Sequence, residues 1–325
     1  MQMKKYTLLF LFLVGMSCPI FGQNTQDFNV LIIHVDDLGW ADIGVLGSDY
    51  YDTPSIDQLA AAGMLFTHSY AAAAICSPSR AALMTGKYPA RIGITDWIYA
   101  RFQGTGTTGL AGEYAENPGQ PLLTPKNQGF LPLEELTLAE RMKGLGYTTF
   151  HVGKWHLGQP PSGHGFEWCS TNMGGPFEHF DPMMVRNGQK TKETGYREDI
   201  YFSDAMNFIT ETKDKPWFMY LSSYSPHDPL KAPEEFVAPF RGKVTEEQAQ
   251  YLGMVANLDY NIGRIMAFLK EKNLDENTIV VLISDNGQTY GLDVYNANMR
   301  GCKATVWEGG LRTFSYWRWT NHWTP

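Results

Sequence analysis

Positive charge is in short supply in this 325-residue chain. Lysine and arginine total 26 against 34 aspartates and glutamates, a formal charge of −8 with histidine neutral. A nucleic-acid binder needs the opposite balance to neutralise phosphates, so that class is excluded. Cysteine is scarce as well: Cys18, Cys76, Cys169 and Cys302 are the four present, and their spacing matches no zinc site. Beyond the first 22 residues no apolar run is long enough to span a membrane. Internal repeats and low-complexity linkers are missing too, which excludes solenoids and tethered arrays. What remains is the composition of a globular chain with a real core, 43% hydrophobic, 18% charged and 14% aromatic.

The N-terminus has the pattern of an export signal. Lys4 and Lys5 precede an apolar run from Tyr6 to Met16, and Ile20-Phe21-Gly22 offers a cleavage site before Gln23. Residues 1–22 are therefore expected to be a signal peptide, with 23–325 as one domain, periplasmic or extracellular. Lipid anchoring at Cys18 is the lesser alternative, because Gly15-Met16-Ser17 is a poor lipidation context. Cleavage removes two lysines and no acid, moving the formal charge from −8 to −10. It also leaves three cysteines, so one cannot pair internally, and Cys76 has the most unusual neighbours.

Four segments read as buried strands: Asn29–Val35, Thr148–Val152, Pro216–Ser222 and Thr278–Ile283. Short apolar runs rich in β-branched and aromatic residues suit a sheet covered on both faces. Helical patterns alternate with them. One starts at Thr53-Pro54 and ends near Gly63, a second covers Thr137–Lys143, and a third covers Asp199–Thr210. The clearest begins at Thr245, which forms a capping box with Gln248, and carries Tyr251, Met254, Val255, Leu258, Ile262, Ile265, Met266 and Leu269 at helical spacing. Strands alternating with helices predict an α/β fold with a large, mostly parallel sheet and helices on both faces. Residues 101–129, rich in Gly, Thr and Pro, read as a long surface loop.

Each strand runs into a polar cluster: Asp36-Asp37 after the first, Lys154-Trp155-His156 after the second, His227-Asp228 after the third and Asp285-Asn286-Gly287 after the fourth. Ligands of open α/β sheets bind outside the carboxyl ends of the strands, so the four clusters can converge on one site. Asp36, Asp37, Asp285 and Asn286 offer only oxygen donors, which suits a hard divalent cation such as calcium or magnesium. Taken singly, either pair is equally at home in a cap or turn. Lys154, His156, His227 and Lys303 form a cationic and titratable set. Pro78 favours a helix start just after Cys76, which puts that side chain at a helix N-terminus, where an anion is stabilised.

Cys76-Ser77-Pro78-Ser79-Arg80, continued by Ala81 to Lys87, resembles the signature of the type I sulfatase family of the alkaline-phosphatase-like superfamily. Gly153-Lys154-Trp155-His156-Leu157-Gly158 resembles that family's second signature, and the likeness runs from about Asn29 to Arg312. The resemblance implies that a separate maturation enzyme oxidises Cys76 to formylglycine, whose hydrate attacks sulfur. It implies that Asp36, Asp37, Asp285 and Asn286 hold Ca2+, and that Arg80 orients the nucleophile. Lys154 and Lys303 would neutralise the sulfate oxygens. His227 would protonate the leaving alcohol, His156 would take a proton so that sulfate is released, and Asp285 would help deprotonate the attacking hydroxyl. Members of the family usually continue into a small C-terminal subdomain, which this chain is expected to lack.

The export signal and the aromatic content point to a sulfated carbohydrate as substrate. Trp97, Arg101, His179 and Arg197, in irregular segments between the motifs, are the expected sugar contacts. Two other readings compete: a phosphatase or phosphonate hydrolase of the same superfamily, and a sulfoglycan-binding protein without turnover.

Overall fold

The computed structural model describes residues 28–98, 127–212 and 215–324, with the backbone of the short strands Tyr114–Ala115 and Thr124–Pro125. The expectations for the signal peptide, Cys18 and Arg101, and most of the 101–129 loop, lie outside the described residues.

Nine strands build the main sheet. In chain order they are β1 (Asn29–Val35), β2 (Met64–Leu65), β3 (Thr148–Gly153), β4 (Trp168–Asn172), β5 (Met183–Arg186), β6 (Gln189–Lys192), β7 (Trp217–Ser222), β8 (Thr278–Ser284) and β9 (Ser315–Arg318). Their spatial order is β2-β9-β8-β1-β7-β3-β4-β5-β6. The five central strands, β8 to β4, are parallel, while the strands at both edges run antiparallel. This is the α/β fold with a large mixed sheet that the alternating pattern predicts.

The helices that matter are α1 (Pro54–Ala61), α2 (Cys76–Thr85), α3 (Leu138–Gly144), α4 (Arg197–Glu211) and α5 (Glu246–Glu271). They cover both faces of the sheet because side chains alternate along a strand. Leu31, Ile33 and Val35 of β1 join Tyr251, Leu252, Val255, Leu258, Ile262, Ile265 and Leu269 of α5 in one core. Ile32 faces the other way, into a second core with Ala81 and Met84 of α2 and Ala139 of α3. Thr245 and Gln248 do form a capping box at the start of α5, and Thr137 and Glu140 make another at α3. Among the described residues no helix is long and apolar enough to cross a membrane.

The register brings the strand ends level. Val35 pairs with Ser284, His34 with Ser222, and Ser222 with Gly153. The chain therefore leaves β1, β3, β7 and β8 at one rim. At that rim Gly153 adopts φ 99°, and a Cβ there would sit 1.8 Å from the Ser222 carbonyl oxygen, so only glycine fits. Asp37 and His156 also have positive φ, at 64° and 59°. Left-handed backbone at a residue with a side chain costs roughly 1–2 kcal/mol, and two such residues at one rim mark a place where geometry overrides local comfort.

Candidate active site

Cys76 is the first residue of α2 and is buried. Its Sγ and carboxylate oxygens of Asp36 and Asp285 all lie within 4.8 Å of one another. Arg80, one turn further along α2, is fully buried and tied down on several sides. Its Nε and an Nη donate to Asp285 Oδ2 at 3.0 and 2.8 Å, and the other Nη donates to Ser222 Oγ. Asp36 Oδ1 lies 3.2 Å from Arg80 without hydrogen-bond geometry.

The lysines complete the ring. Lys154 Nζ donates to Asp36 Oδ2 at 2.5 Å, and Lys303 Nζ donates to Asp37 Oδ2 at 2.6 Å. His227 Nε2 stands 3.7 Å from Asp37 Oδ2, while its Nδ1 is 2.6 Å from the carbonyl of Asp228. His156 Nε2 lies 2.9 Å from the carbonyl of Ile98. Three carboxylates thus face three fixed cations.

The electrostatics are uneven. Burial pushes the Asp36 carboxyl up, but Lys154, His227, Arg80 and Lys303 together hold it well below the usual range. Burial and the Asp36 charge push Asp37 and Asp285 up instead. Burial also raises the Cys76 thiol, yet the Lys154 charge and the neighbouring His156 and His227 leave it well below its ordinary value. A cysteine at a helix N-terminus among cations is of the reactive kind.

The donor set fits a hard divalent cation. Asn286 gives its amide nitrogen to Asp37 Oδ1 at 2.7 Å and to the Gly287 carbonyl at 3.0 Å, leaving its buried Oδ1 without a hydrogen-bond partner. An orphaned amide oxygen beside Asp36, Asp37 and Asp285 is what an oxygen-seeking ion requires.

The sulfatase family profile matches residues 28–317. The chain belongs to the sulfatase family. It is 33% identical to the N-acetylgalactosamine-6-sulfatase of Sus scrofa over 91% of this chain and 58% of that protein. It is 30% identical to arylsulfatase A of Homo sapiens over 91% of this chain and 60% of that one. The sulfatase-family chain thus spans less than two thirds of the length of these relatives. The crystal structure of Ps i-CgsB in complex with k-i-k-neocarrahexaose superposes with a TM-score of 0.79 at 29% identity, covering 92% of this chain and 67% of that one.

The expected sugar contacts fare differently. Trp97 is 37% exposed and precedes Ile98, whose amide donates to Ser77 Oγ at 3.0 Å and whose carbonyl meets His156. It therefore sits beside the sulfatase site and open to solvent. Arg197 and His179 are 0% and 3% exposed. Arg197 donates to the carbonyls of Gly175, Pro176 and Glu178. Burial pushes His179 down to about 3, so it is neutral and packs on Tyr196. As folded, neither presents its side chain to a ligand in solvent. Cys169 and Cys302 are free thiols.

Sequence reasoning missed Ser222, the Oγ partner of Arg80, and Asp42. Asp42 accepts from Gly39 N at 2.7 Å, Tyr51 OH at 2.6 Å, Tyr251 OH at 2.9 Å and Gln288 Nε2. It joins the loop after β1 to the loop after β8. No signal in residue type distinguishes Asp42 from a turn aspartate.

Proposed function

We propose that this chain hydrolyses a sulfate ester on a sulfated carbohydrate, with formylglycine made from Cys76 by a separate maturation enzyme and Ca2+ held by Asp36, Asp37, Asp285 and Asn286. The observation that carries the reading is the surrounding of Cys76: a buried side chain at a helix N-terminus, with carboxylate oxygens of Asp36 and Asp285 close by and Arg80 and Lys154 fixed on those carboxylates. Formylglycine supplies a hydrated aldehyde as nucleophile, and calcium supplies Lewis-acid polarisation of a sulfate oxygen.

The protein's own residues do the rest. Lys154 and Lys303 oppose the charge on the non-bridging oxygens, and in a water-poor site such fixed cations need no reorganisation during reaction. Arg80, clamped by Asp285 and Ser222, orients residue 76. His227 donates a proton to the leaving alcohol oxygen. In the unconverted chain without an ion, burial and Lys154 push its pKa down while Asp36, Cys76 and Asp37 raise it; its role as acid rests on its place facing Asp37 beside the site. His156, anchored by Ile98, accepts the proton whose removal frees sulfate. Asp285 is the assisting base.

The names of the relatives support a carbohydrate leaving group: one is an N-acetylgalactosamine-6-sulfatase and another structure holds k-i-k-neocarrahexaose. Trp97 is the sugar contact we retain. Export, with residues 1–22 removed and 23–325 acting as one catalytic domain, belongs to the same proposal.

A two-metal phosphoryl-transfer reading has one observation in its favour, since ligand atoms of Asp37, His227 and Asp228 also lie within 4.8 Å of one another. One experiment decides. Protein produced with a maturation enzyme is assayed on sulfated mono- and disaccharides and on the matching phosphates, with metal content measured alongside. One calcium per chain and sulfate release support the proposal; two metals and a preference for phosphate sink it.

A further inference from the structure

Arg197 and Glu198 open α4, and both are fully buried. An acid in a first helical turn ordinarily faces solvent and complements its own helix. Glu198 instead reaches a distant loop. Its Oε1 accepts from the backbone amides of Tyr224 at 3.1 Å and Ser225 at 3.0 Å. These residues lie between the end of β7 and His227. The same loop is folded back on itself, with His227 N donating to Tyr224 O at 2.8 Å and Ser223 Oγ donating to Ser225 O at 2.8 Å.

Arg197 works on the same loop from the side. Its guanidinium stacks 4.4 Å from the Tyr224 ring centroid, and Lys154 Nζ lies 5.3 Å from that centroid. Tyr224 therefore links the α4 start to a lysine of the site. Burying a carboxylate is costly unless its bonds compensate, and the two amides it holds are the loop's.

We propose that Glu198 is a positioning residue for His227, fixing the loop so that the imidazole faces residue 76 and the leaving-group oxygen, with Arg197 and Tyr224 completing the mount. This rests on the sulfatase reading, in which the bond from sulfur to the leaving oxygen breaks as His227 passes its proton to that oxygen. Misplacing the acid then harms poor leaving groups far more than good ones. A merely structural Glu198 would harm all substrates in proportion.

The test is the dependence of kcat/KM on leaving-group pKa across aryl sulfates, from 4-nitrophenyl sulfate to unsubstituted phenyl sulfate, using converted enzyme. Glu198→Ala is expected to lose about a hundredfold on phenyl sulfate, the low end of what general acid catalysis contributes, and much less on nitrophenyl sulfate. His227→Ala should show the same steepening. Glu198→Gln, which keeps an acceptor oxygen for both amides, should recover most of the loss. If Glu198→Ala does not fold, Glu198→Asp carries the test with an acceptor one methylene short. Variants that parallel the wild-type slope overturn the positioning role alone. A converted wild type that releases sulfate neither from these esters nor from sulfated mono- and disaccharides overturns the sulfatase reading and this role with it.

Discussion

Asp42 and the cluster of Asp36, Asp37 and Asp285 are all buried, yet they behave in opposite ways. Asp42 is fully enclosed, and four neutral donors satisfy it. Asp36 and Asp37, together with Asp285, crowd like charges against one another and leave Asp36 Oδ1 and Asn286 Oδ1 without hydrogen-bond partners. Other buried polar atoms of the described residues also lack partners, but only here do the unpaired oxygens stand among crowded like charges, which an added cation would relieve. The Asp42 hub is the frame, and the unsatisfied cluster is what the frame holds ready.

The largest effect that tests this contrast is chemical. Cys76→Ala should lower turnover by at least about 10⁴-fold, as removal of a nucleophile does. The thermal midpoint should stay near that of the wild type, because alanine suits a helix start and no hydrogen bond of the Asp42 hub involves Cys76. A variant that retained turnover would end the mechanism, and one that failed to fold would make Cys76 part of the frame.

Asp36→Ala should come next, and it acts on stability. Asp36 pairs with both Arg80 and Lys154, which are buried. Removing the shared partner of buried cations costs about 3–5 kcal/mol, readable in urea unfolding. A cost near zero would mean that Asp285 alone compensates Arg80, and that the cluster is less strained than its geometry indicates.

Asp37→Asn should give a smaller change in the metal-free chain, since Asp37 suffers from the Asp36 charge and its loss relieves repulsion. The discriminating readout is calcium. Saturating calcium at a hundredfold excess over Kd should stabilise the wild type by about 2.7 kcal/mol, and the variant should lose most of that. Equal stabilisation of both proteins would remove Asp37 from the metal set.

The contrast also explains what was legible in the sequence. β1, β3, β7 and β8 were readable because strands buried on both faces become continuous apolar runs, and the polar residues after them announced the rim. β6 was not, because Gln189–Lys192 is an exposed edge with no pattern to read. β9 is four residues long and sits in a stretch of mixed aromatic and polar residues with no clear alternation, though Ser315–Arg318 pairs with β8. The third helix starts at Arg197, ahead of the expected Asp199. That small shift moves Arg197 from an irregular segment into a buried helical turn. Charged residues in the interior are legible only through their partners, and the partners of Arg197, Glu198 and Asp42 come from remote parts of the chain.

The smallest effect belongs to the frame itself. Burial raises Asp42 from 3.8 to about 6, against the lowering pull of Tyr51, Gly39, Tyr251 and Gln288. The sign follows from linkage: between these values the folded chain binds a proton that the unfolded chain has released. The contribution of Asp42 to stability is therefore greatest below about pH 4 and falls as the pH rises through 6. The full difference is about 3 kcal/mol at 1.36 kcal/mol per unit. Asp42→Asn does not titrate, so the variant should be more destabilised relative to wild type at pH 4 than at pH 7. Its amide nitrogen also opposes donors already aimed at the site, which adds a pH-independent cost of about 1–3 kcal/mol. Unfolding of both proteins at pH 4 and 7 separates the two contributions. A difference that does not change with pH would mean that the four donors keep Asp42 ionised throughout, and the frame would then be a buried charge in its own right.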